Sequence, residues 1–264
     1  MTIIKEHNKI IVKNIRNFNL AQTLECGQCF RWENNNNKFY GVAGRNKLCV
    51  YGDNNSLVFE DVNIEVFENF WRKYFDLDTD YSEIIKNLSN KSEILDKIFS
   101  EISGIRILNQ DFWETLCSFI ISQNNNIPRI KKIISKMCEL FGESLGGRYY
   151  SFPSAETIAN LSEKDLDLIK SGFRAKYILN AAKHIVNNKV VQSEQELIKI
   201  KGVGPKIAQC VLLYACHKLD AFPMDVWMKR IMNDYFPDKL PDFFGEYAGV
   251  AQQYLYYYYS IFTR

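Results

Sequence analysis

Apolar and polar positions along this chain follow two different periods. In the first sixty residues the apolar positions come in short runs: Ile10–Ile15 (IIVKNI), then Cys29–Trp32, Lys38–Ala43, Lys47–Tyr51 and Ser56–Phe59. Polar turns separate them, among them the Asn34–Asn37 run and Gly52-Asp53-Asn54-Asn55. Short strand-like runs punctuated by turn residues predict an antiparallel meander. The asparagine run reads as a hairpin tip that carries no chemistry. From about Val62 the period becomes helical, with apolar residues three and four apart in VFENFWRKYF and in YSEIIKNLSNKSEILDKIFSEI. Gly104-Ile105-Arg106 reads as a crossover. Beyond it, nine further segments read as amphipathic or buried helices, from WETLCSFIISQ to EYAGVAQQYLYYYYSIF. Ser122, Ser154, Ser162 and Ser193 fall where caps or turn residues belong. No solenoid repeat is present.

The pattern therefore predicts an α+β chain. Residues 1–103 form an N-terminal antiparallel β-sheet domain with flanking helices. Residues 104–264 form a mostly α-helical region packed against it, with a helix-hairpin-helix at about 197–217.

The sequence has 264 residues, enough for a substantial core. No stretch is long and apolar enough to span a bilayer. The N-terminus, MTIIKEHNKI, lacks the apolar core of a signal peptide. The formal charge of +2 does not by itself announce nucleic acid, but its distribution is uneven. From Lys164 to Lys206 there are nine basic residues (Lys164, Lys170, Arg174, Lys176, Lys183, Lys189, Lys199, Lys201, Lys206) against four acids (Asp165, Asp167, Glu194, Glu196). Arg129, Lys131, Lys132 and Lys136 form a second cluster. Such clusters are usually solvated helix faces. Here they flank a glycine turn, which points to a DNA-facing surface. The seven cysteines are odd in number and scattered, which suggests reduced thiols and a cytoplasmic location, with a nuclear one left open. Cys26-Gly-Gln-Cys29 has no second pair beside it and does not make a zinc site. No four-cysteine cluster follows Asp225, which excludes an iron–sulfur cluster in the C-terminal region.

The stretch KIKGVGPKIAQCVLLYACHKLDAFPMDVWM, residues 199–228, carries the chemistry. Gly202 and Gly204 permit a tight turn between helices and a close approach of backbone to a ligand. The free N–H groups of the following helix suit a phosphate oxygen. Lys206 lies two residues past the turn. As a bare clamp residue it meets phosphate only. Asp225, nineteen residues later and behind Pro223, changes that reading. An amine and a carboxylate beside a phosphate grip suit attack on a deoxyribose anomeric carbon. Attack needs the uncharged amine, which partial burial and nearby cations favour. Asp225 then stabilises positive charge on the sugar or helps activate the nucleophile. It also fits as the N-cap of the next helix, a role compatible with catalysis.

Residues 200–228 resemble the helix-hairpin-helix and Pro-x-Asp signature of the base-excision DNA glycosylases. Residues 26–32, Cys-Gly-Gln-Cys-Phe-Arg-Trp, resemble the Gly-Gln-x-Phe-Arg-Trp strand of the 8-oxoguanine DNA glycosylases. So do Tyr-Phe-Asp-Leu-Asp (74–78), GIRILNQDFWETLCSFIISQNNNIPRI (104–130), SGFRAKYI (171–178) and YAGVAQQYLY (247–256), in family order.

The resemblance implies a bifunctional glycosylase and AP lyase acting on 8-oxoguanine in double-stranded DNA. It implies Lys206 as Schiff-base nucleophile and Asp225 as its carboxylate partner. Gly27 would offer its carbonyl to the ring nitrogen that is protonated only in the oxidised base; a fixed acceptor rewards only the lesion. Gln252 would read the Watson–Crick edge of the flipped base, with Cys210 and Tyr256 on its two faces. Asn124 would fill the gap in the duplex, and Arg129 and Arg174 would bond the stranded cytosine.

This chain departs from the family at four places. Phe173 stands for the wedge tyrosine and keeps stacking without the hydroxyl. Trp227 stands for a histidine and loses its polar phosphate contact. Tyr256 stands for a phenylalanine, and Pro128 for an alanine before Arg129. No cofactor is expected, apart from a structural cation at the glycine turn, and nothing demands more than a monomer. The rival readings are a glycosylase for another damaged base and a non-catalytic helix-hairpin-helix DNA-binding module.

Overall fold

The computed structural model describes residues 1–53, 55–188 and 193–262. Asn54 of the expected turn and Lys189 of the basic cluster lie outside the described residues.

Six strands form one antiparallel sheet: β1 (Thr2–Glu6), β2 (Lys9–Lys13), β3 (Trp32–Asn35), β4 (Lys38–Ala43), β5 (Asn46–Gly52) and β6 (Ser56–Glu60). Their spatial order is β1-β2-β6-β5-β4-β3. Alternation decides which face is buried. Ile10 and Val12 of β2 stand opposite Phe59 and Leu57 of β6, and Val50 of β5 also stands opposite Phe59. All are buried. That face packs on Phe67, Trp71 and Phe75, from a short helical stretch: α2 (Ile64–Val66), a π turn (Phe67–Trp71) and α3 (Arg72–Tyr74). The expected hairpin tip is present. Asn36 and Asn37 have φ of 51° and 62°, which asparagine tolerates.

Cys29–Trp32 was expected as a strand, and only Trp32 belongs to one. After α1 (Leu20–Glu25) the chain runs irregularly to Arg31, because a buried side chain replaces the ladder. Gln28 donates from Nε2 to the Thr23 and Arg106 carbonyls, both at 2.8 Å, and accepts from Leu108 N at 2.9 Å. Its own carbonyl accepts from Gln110 Nε2 at 2.7 Å. These bonds tie the 26–31 segment to the crossover around Arg106.

The helices α4 (Tyr81–Ser89) and α5 (Glu93–Glu101) precede the expected division at residue 103. Their apolar faces, Tyr81, Ile84, Leu88, Leu95 and Ile98, are nonetheless buried in the second, helical core. That core is completed by α6 (Phe112–Ser122), α7 (Ile127–Phe141), α8 (Ala155–Ala159), α9 (Glu163–Asp167), α10 (Arg174–Asn187), α11 (Glu194–Leu197), α12 (Pro205–Tyr214), α13 (Val226–Tyr235), a 3-10 turn (Pro241–Tyr247) and α14 (Ala248–Phe262). Ser154, Ser162 and Ser193 are N-caps as expected. Ser122 is instead the last residue of α6, its hydroxyl donating back to the Phe119 carbonyl at 2.8 Å.

Candidate active site

The two halves meet at a narrow cavity of about 60 Å³. Gly27 comes from the irregular segment, Lys206 and Cys210 from α12, Asp225 from the start of α13, and Gln252 and Tyr256 from α14; all six line it. Cys26, Phe119, Tyr214, Pro223 and Gln253 complete the wall. Three wider clefts, of 620, 470 and 430 Å³, hold none of the residues expected to act.

Pro205 and the open N-cap Gly204 start α12, so Lys206 sits on its first turn, half-buried. Its amine lies 5.0 Å from the centroid of the Phe119 ring, contributed by α6. One turn further on, Cys210 is buried. Desolvation pushes its thiol up to about 11, with Lys206 acting in the opposite direction. The group is therefore a neutral, polarisable surface at physiological pH. Asp225 is the N-cap of α13, its carboxylate accepting from Met228 N at 2.8 Å. That bond fixes the carboxylate at the cavity wall, so capping and a place in the cavity coexist.

Gly27 has a φ of +87°, a conformation that glycine adopts without strain. A Cβ here would come within 3.7 Å of the Tyr256 ring and enter the cavity. Gln252 is 5% exposed, and its Oε1 has no hydrogen-bond partner in the free protein. A buried, unpaired amide oxygen is costly, of order 1–3 kcal/mol, unless a ligand satisfies it.

The expected DNA-facing residues gather around two turns. Asn124, between α6 and α7, is exposed with φ +45°. Its neighbours are structural: Asn125 Nδ2 bonds the Ile121 carbonyl at 3.0 Å, and Asn126 caps α7 through Arg129 N at 3.0 Å. Arg129 is exposed on the first turn of α7.

Arg174, expected to bond the stranded cytosine, already has partners in the free protein. It is buried, and it donates to the carbonyls of Gln123, Asn124 and Ser171 while stacking on Phe173 at 4.4 Å. Burial and the nearby Arg129 lower its pKa. Gln123 also donates to the Gly202 carbonyl at 3.2 Å, tying the asparagine turn to the glycine turn. Gly202 (φ +96°) packs so tightly that a Cβ would strike the Tyr177 ring at 2.3 Å, whereas a Cβ on Gly204 would meet nothing within 4 Å. Phe173 and Trp227 are both about half exposed, and the Arg230 guanidinium lies 5.4 Å from the Trp227 ring centroid.

Among the described residues, no group of three or more His, Cys, Asp or Glu side chains is placed to hold a metal. Among the same described residues, no helix is long and apolar enough to cross a membrane. Cys26 and Cys29 are buried free thiols. Desolvation lifts Cys26 to about 12 and Cys29 well above its usual range. The sequence did not single out Gln28, Phe119, Tyr214 or Gln253. All four lie inside family-like stretches, where Phe119, Tyr214 and Gln253 sit among apolar and aromatic residues that read as core.

Comparison with known proteins agrees with this arrangement. The model of the 8-oxoguanine DNA glycosylase N-terminal domain matches residues 10–116. The model of the HhH-GPD superfamily base excision DNA repair protein matches residues 117–240. An N-glycosylase/DNA lyase of Saccharomyces cerevisiae is 34% identical over 258 residues, which cover 82% of this chain and 68% of the relative. The apo-form of the Clostridium acetobutylicum 8-oxoguanine glycosylase/lyase superposes with a TM-score of 0.91 at 39% identity, covering 98% of this chain and 99% of that one. The same protein in complex with double-stranded DNA containing cytosine opposite 8-oxoguanine gives a TM-score of 0.92 at 38% identity, covering 100% and 99%. This chain belongs to the 8-oxoguanine DNA glycosylase family within the HhH-GPD superfamily, and is a DNA glycosylase and lyase.

Proposed function

We propose that the chain excises 8-oxoguanine from duplex DNA, with a preference for cytosine opposite the lesion, and then cuts the strand through a lysine Schiff base. The Gly202–Gly204 turn and the first N–H groups of α12 grip phosphate. The base leaves the stack, which brings C1′ within reach of Lys206. The uncharged Lys206 amine attacks C1′ as the N-glycosidic bond breaks, and the electron pair of that bond leaves with the base. Asp225 stabilises the positive charge on the sugar. Ring opening gives an imine between Nζ and C1′. Loss of a C2′ proton then expels the 3′ phosphate by β-elimination.

One observation carries this reading. A single cavity joins the Gly27 backbone to Lys206 and Asp225, and holds a buried Gln252 oxygen without a partner. That is the donor–acceptor setting a flipped purine would complete, with Cys210 and Tyr256 against its faces. Asn124 fills the vacated space in the duplex, and Arg129 bonds the stranded cytosine. Arg174, which holds the Gln123 and Asn124 carbonyls in the free protein, takes part in the cytosine contact beside Arg129. Phe173 wedges, and Trp227 lies against the strand beside Asp225. No cofactor enters the chemistry. A cation at the glycine turn would be held by backbone carbonyls such as that of Ile200, which already accepts from Val203 N at 2.9 Å, and would serve only to bridge a phosphate. The enzyme acts as a monomer in the compartment that holds the DNA, the cytoplasm and its nucleoid in a prokaryote.

The test is a panel of duplexes containing 8-oxoguanine, thymine glycol or alkylated adenine. Release of 8-oxoguanine in preference to the others is expected. Release of another base alone would replace this substrate, and binding without release of any base would reduce the chain to a DNA-binding module.

A further inference from the structure

In the cavity wall, two buried polar side chains join its two ends. Tyr214, on the last turn of α12, is 4% exposed, and Gln253, on α14, is 1% exposed. The Tyr214 hydroxyl donates to Gln253 Oε1, and Gln253 Nε2 donates to the Cys26 carbonyl at 2.8 Å. The direction is forced: a carbonyl only accepts, so the amide nitrogen must face Cys26 and its oxygen must face the phenol. The bond thus lands on the peptide that precedes Gly27, the residue with φ +87°. At the other end the Tyr214 ring stacks on Phe119, with centroids 5.4 Å apart and planes 19° apart. Phe119 is the ring over which the Lys206 amine lies.

We propose that Tyr214 and Gln253 are positioning residues that set lesion discrimination, by fixing the 26–27 peptide and with it the direction of the Gly27 carbonyl. This inference rests on the proposed use of that carbonyl to select 8-oxoguanine. Gln28 pins the segment from its downstream side, and the Tyr214–Gln253 pair pins it from upstream. A carbonyl that could swing would accept from the oxidised ring nitrogen less well, and would repel the unprotonated ring nitrogen of guanine less well. Anchoring the pair on Phe119 gives base recognition and the nucleophile a common support.

The experiment compares wild type, Gln253→Leu and Tyr214→Phe in two single-turnover assays. One measures excision from duplexes holding 8-oxoguanine or guanine opposite cytosine. The other measures cleavage of a preformed abasic site, which needs Lys206 but no base recognition. Gln253→Leu is expected to lose about tenfold in preference for 8-oxoguanine over guanine, with abasic cleavage falling less than 8-oxoguanine excision. Tyr214→Phe keeps the ring on Phe119 and is expected to shift preference the same way by about threefold; it decides the matter if Gln253→Leu does not fold. Unchanged preference in the folded variants would overturn the inference. So would an equal fall in excision and abasic cleavage with preference retained, the mark of general damage to the fold. Wild-type protein that cleaves abasic DNA without favouring 8-oxoguanine would instead remove the functional reading itself, and that failure needs no variant to be seen.

Discussion

The Lys206 amine lies 5.0 Å from the centroid of the Phe119 ring, close enough for the π face to attract positive charge on nitrogen. In the proposed attack on C1′, positive charge would develop on that nitrogen, and the ring would stabilise it. In Phe119→Leu the site stays apolar but loses the π face. Single-turnover excision is expected to slow by roughly 2- to 30-fold, the equivalent of about 0.5–2 kcal/mol. A rate equal to wild type would assign the ring to packing alone.

The two glycines of the turn should separate by phenotype. Gly202→Ala places a methyl group into the Tyr177 ring at a φ of +96°. It should destabilise the fold by at least about 1–2 kcal/mol, seen as a lower unfolding temperature. Gly204 has an extended φ of −99° and open space around it. Gly204→Ala should keep the unfolding temperature and weaken DNA binding by about fivefold, because the added methyl holds a phosphate away from the backbone.

Arg129 and Arg174 are neighbours with opposite surroundings. Exposed Arg129 should set opposite-base preference. Arg129→Ala should keep its stability and lose about tenfold in the ratio of excision opposite cytosine to excision opposite adenine. Buried Arg174 serves three carbonyls. Arg174→Ala should lower stability by about 3 kcal/mol in thermal or urea unfolding. An unchanged cytosine preference in Arg129→Ala would reject its role.

Burial raises the Cys210 thiol to about 11 from an ordinary 9.0. A group whose pKa is raised on folding adds stability that is complete below the unfolded value and disappears as pH climbs through the folded one. Stability should therefore decline between about pH 9 and pH 11, by roughly 3 kcal/mol at most from this group. Cys210→Ala will be less stable throughout, but its decline over that interval should be shallower. Identical slopes for the two proteins would show that other groups, such as the buried tyrosines, govern alkaline unfolding.

The helical half, Lys206 and Asp225 carry local signals in the sequence, whereas Gly27, Cys210, Gln252 and Tyr256 come only from the family resemblance; the structure brings all six to one cavity. Apolar spacing marks α6, α7, α12 and α14, and the Gly-Val-Gly turn and Pro223-Met-Asp225 mark the two ends of the chemistry. The 26–31 segment was not legible. Its apolar residues suggest a strand, but the Gln28 side chain satisfies backbone groups from residues 23, 106 and 108, and no strand-like pattern reveals bonds over such separations. The partners of Arg174 were hidden for a related reason: only the tertiary fold brings the Gln123–Asn124 carbonyls to it. Tyr214 and Gln253 lay hidden in runs of apolar and aromatic residues, where a phenol and an amide look like ordinary core until their partners are seen.

The most direct measurement is borohydride reduction during reaction with an 8-oxoguanine duplex, followed by electrophoresis and peptide mapping of the cross-linked protein. Wild type should give a covalent protein–DNA species with the sugar attached at Lys206, and Lys206→Gln should give none. Equal trapping by the variant, or attachment at another residue, would contradict the assignment of Lys206 as the nucleophile.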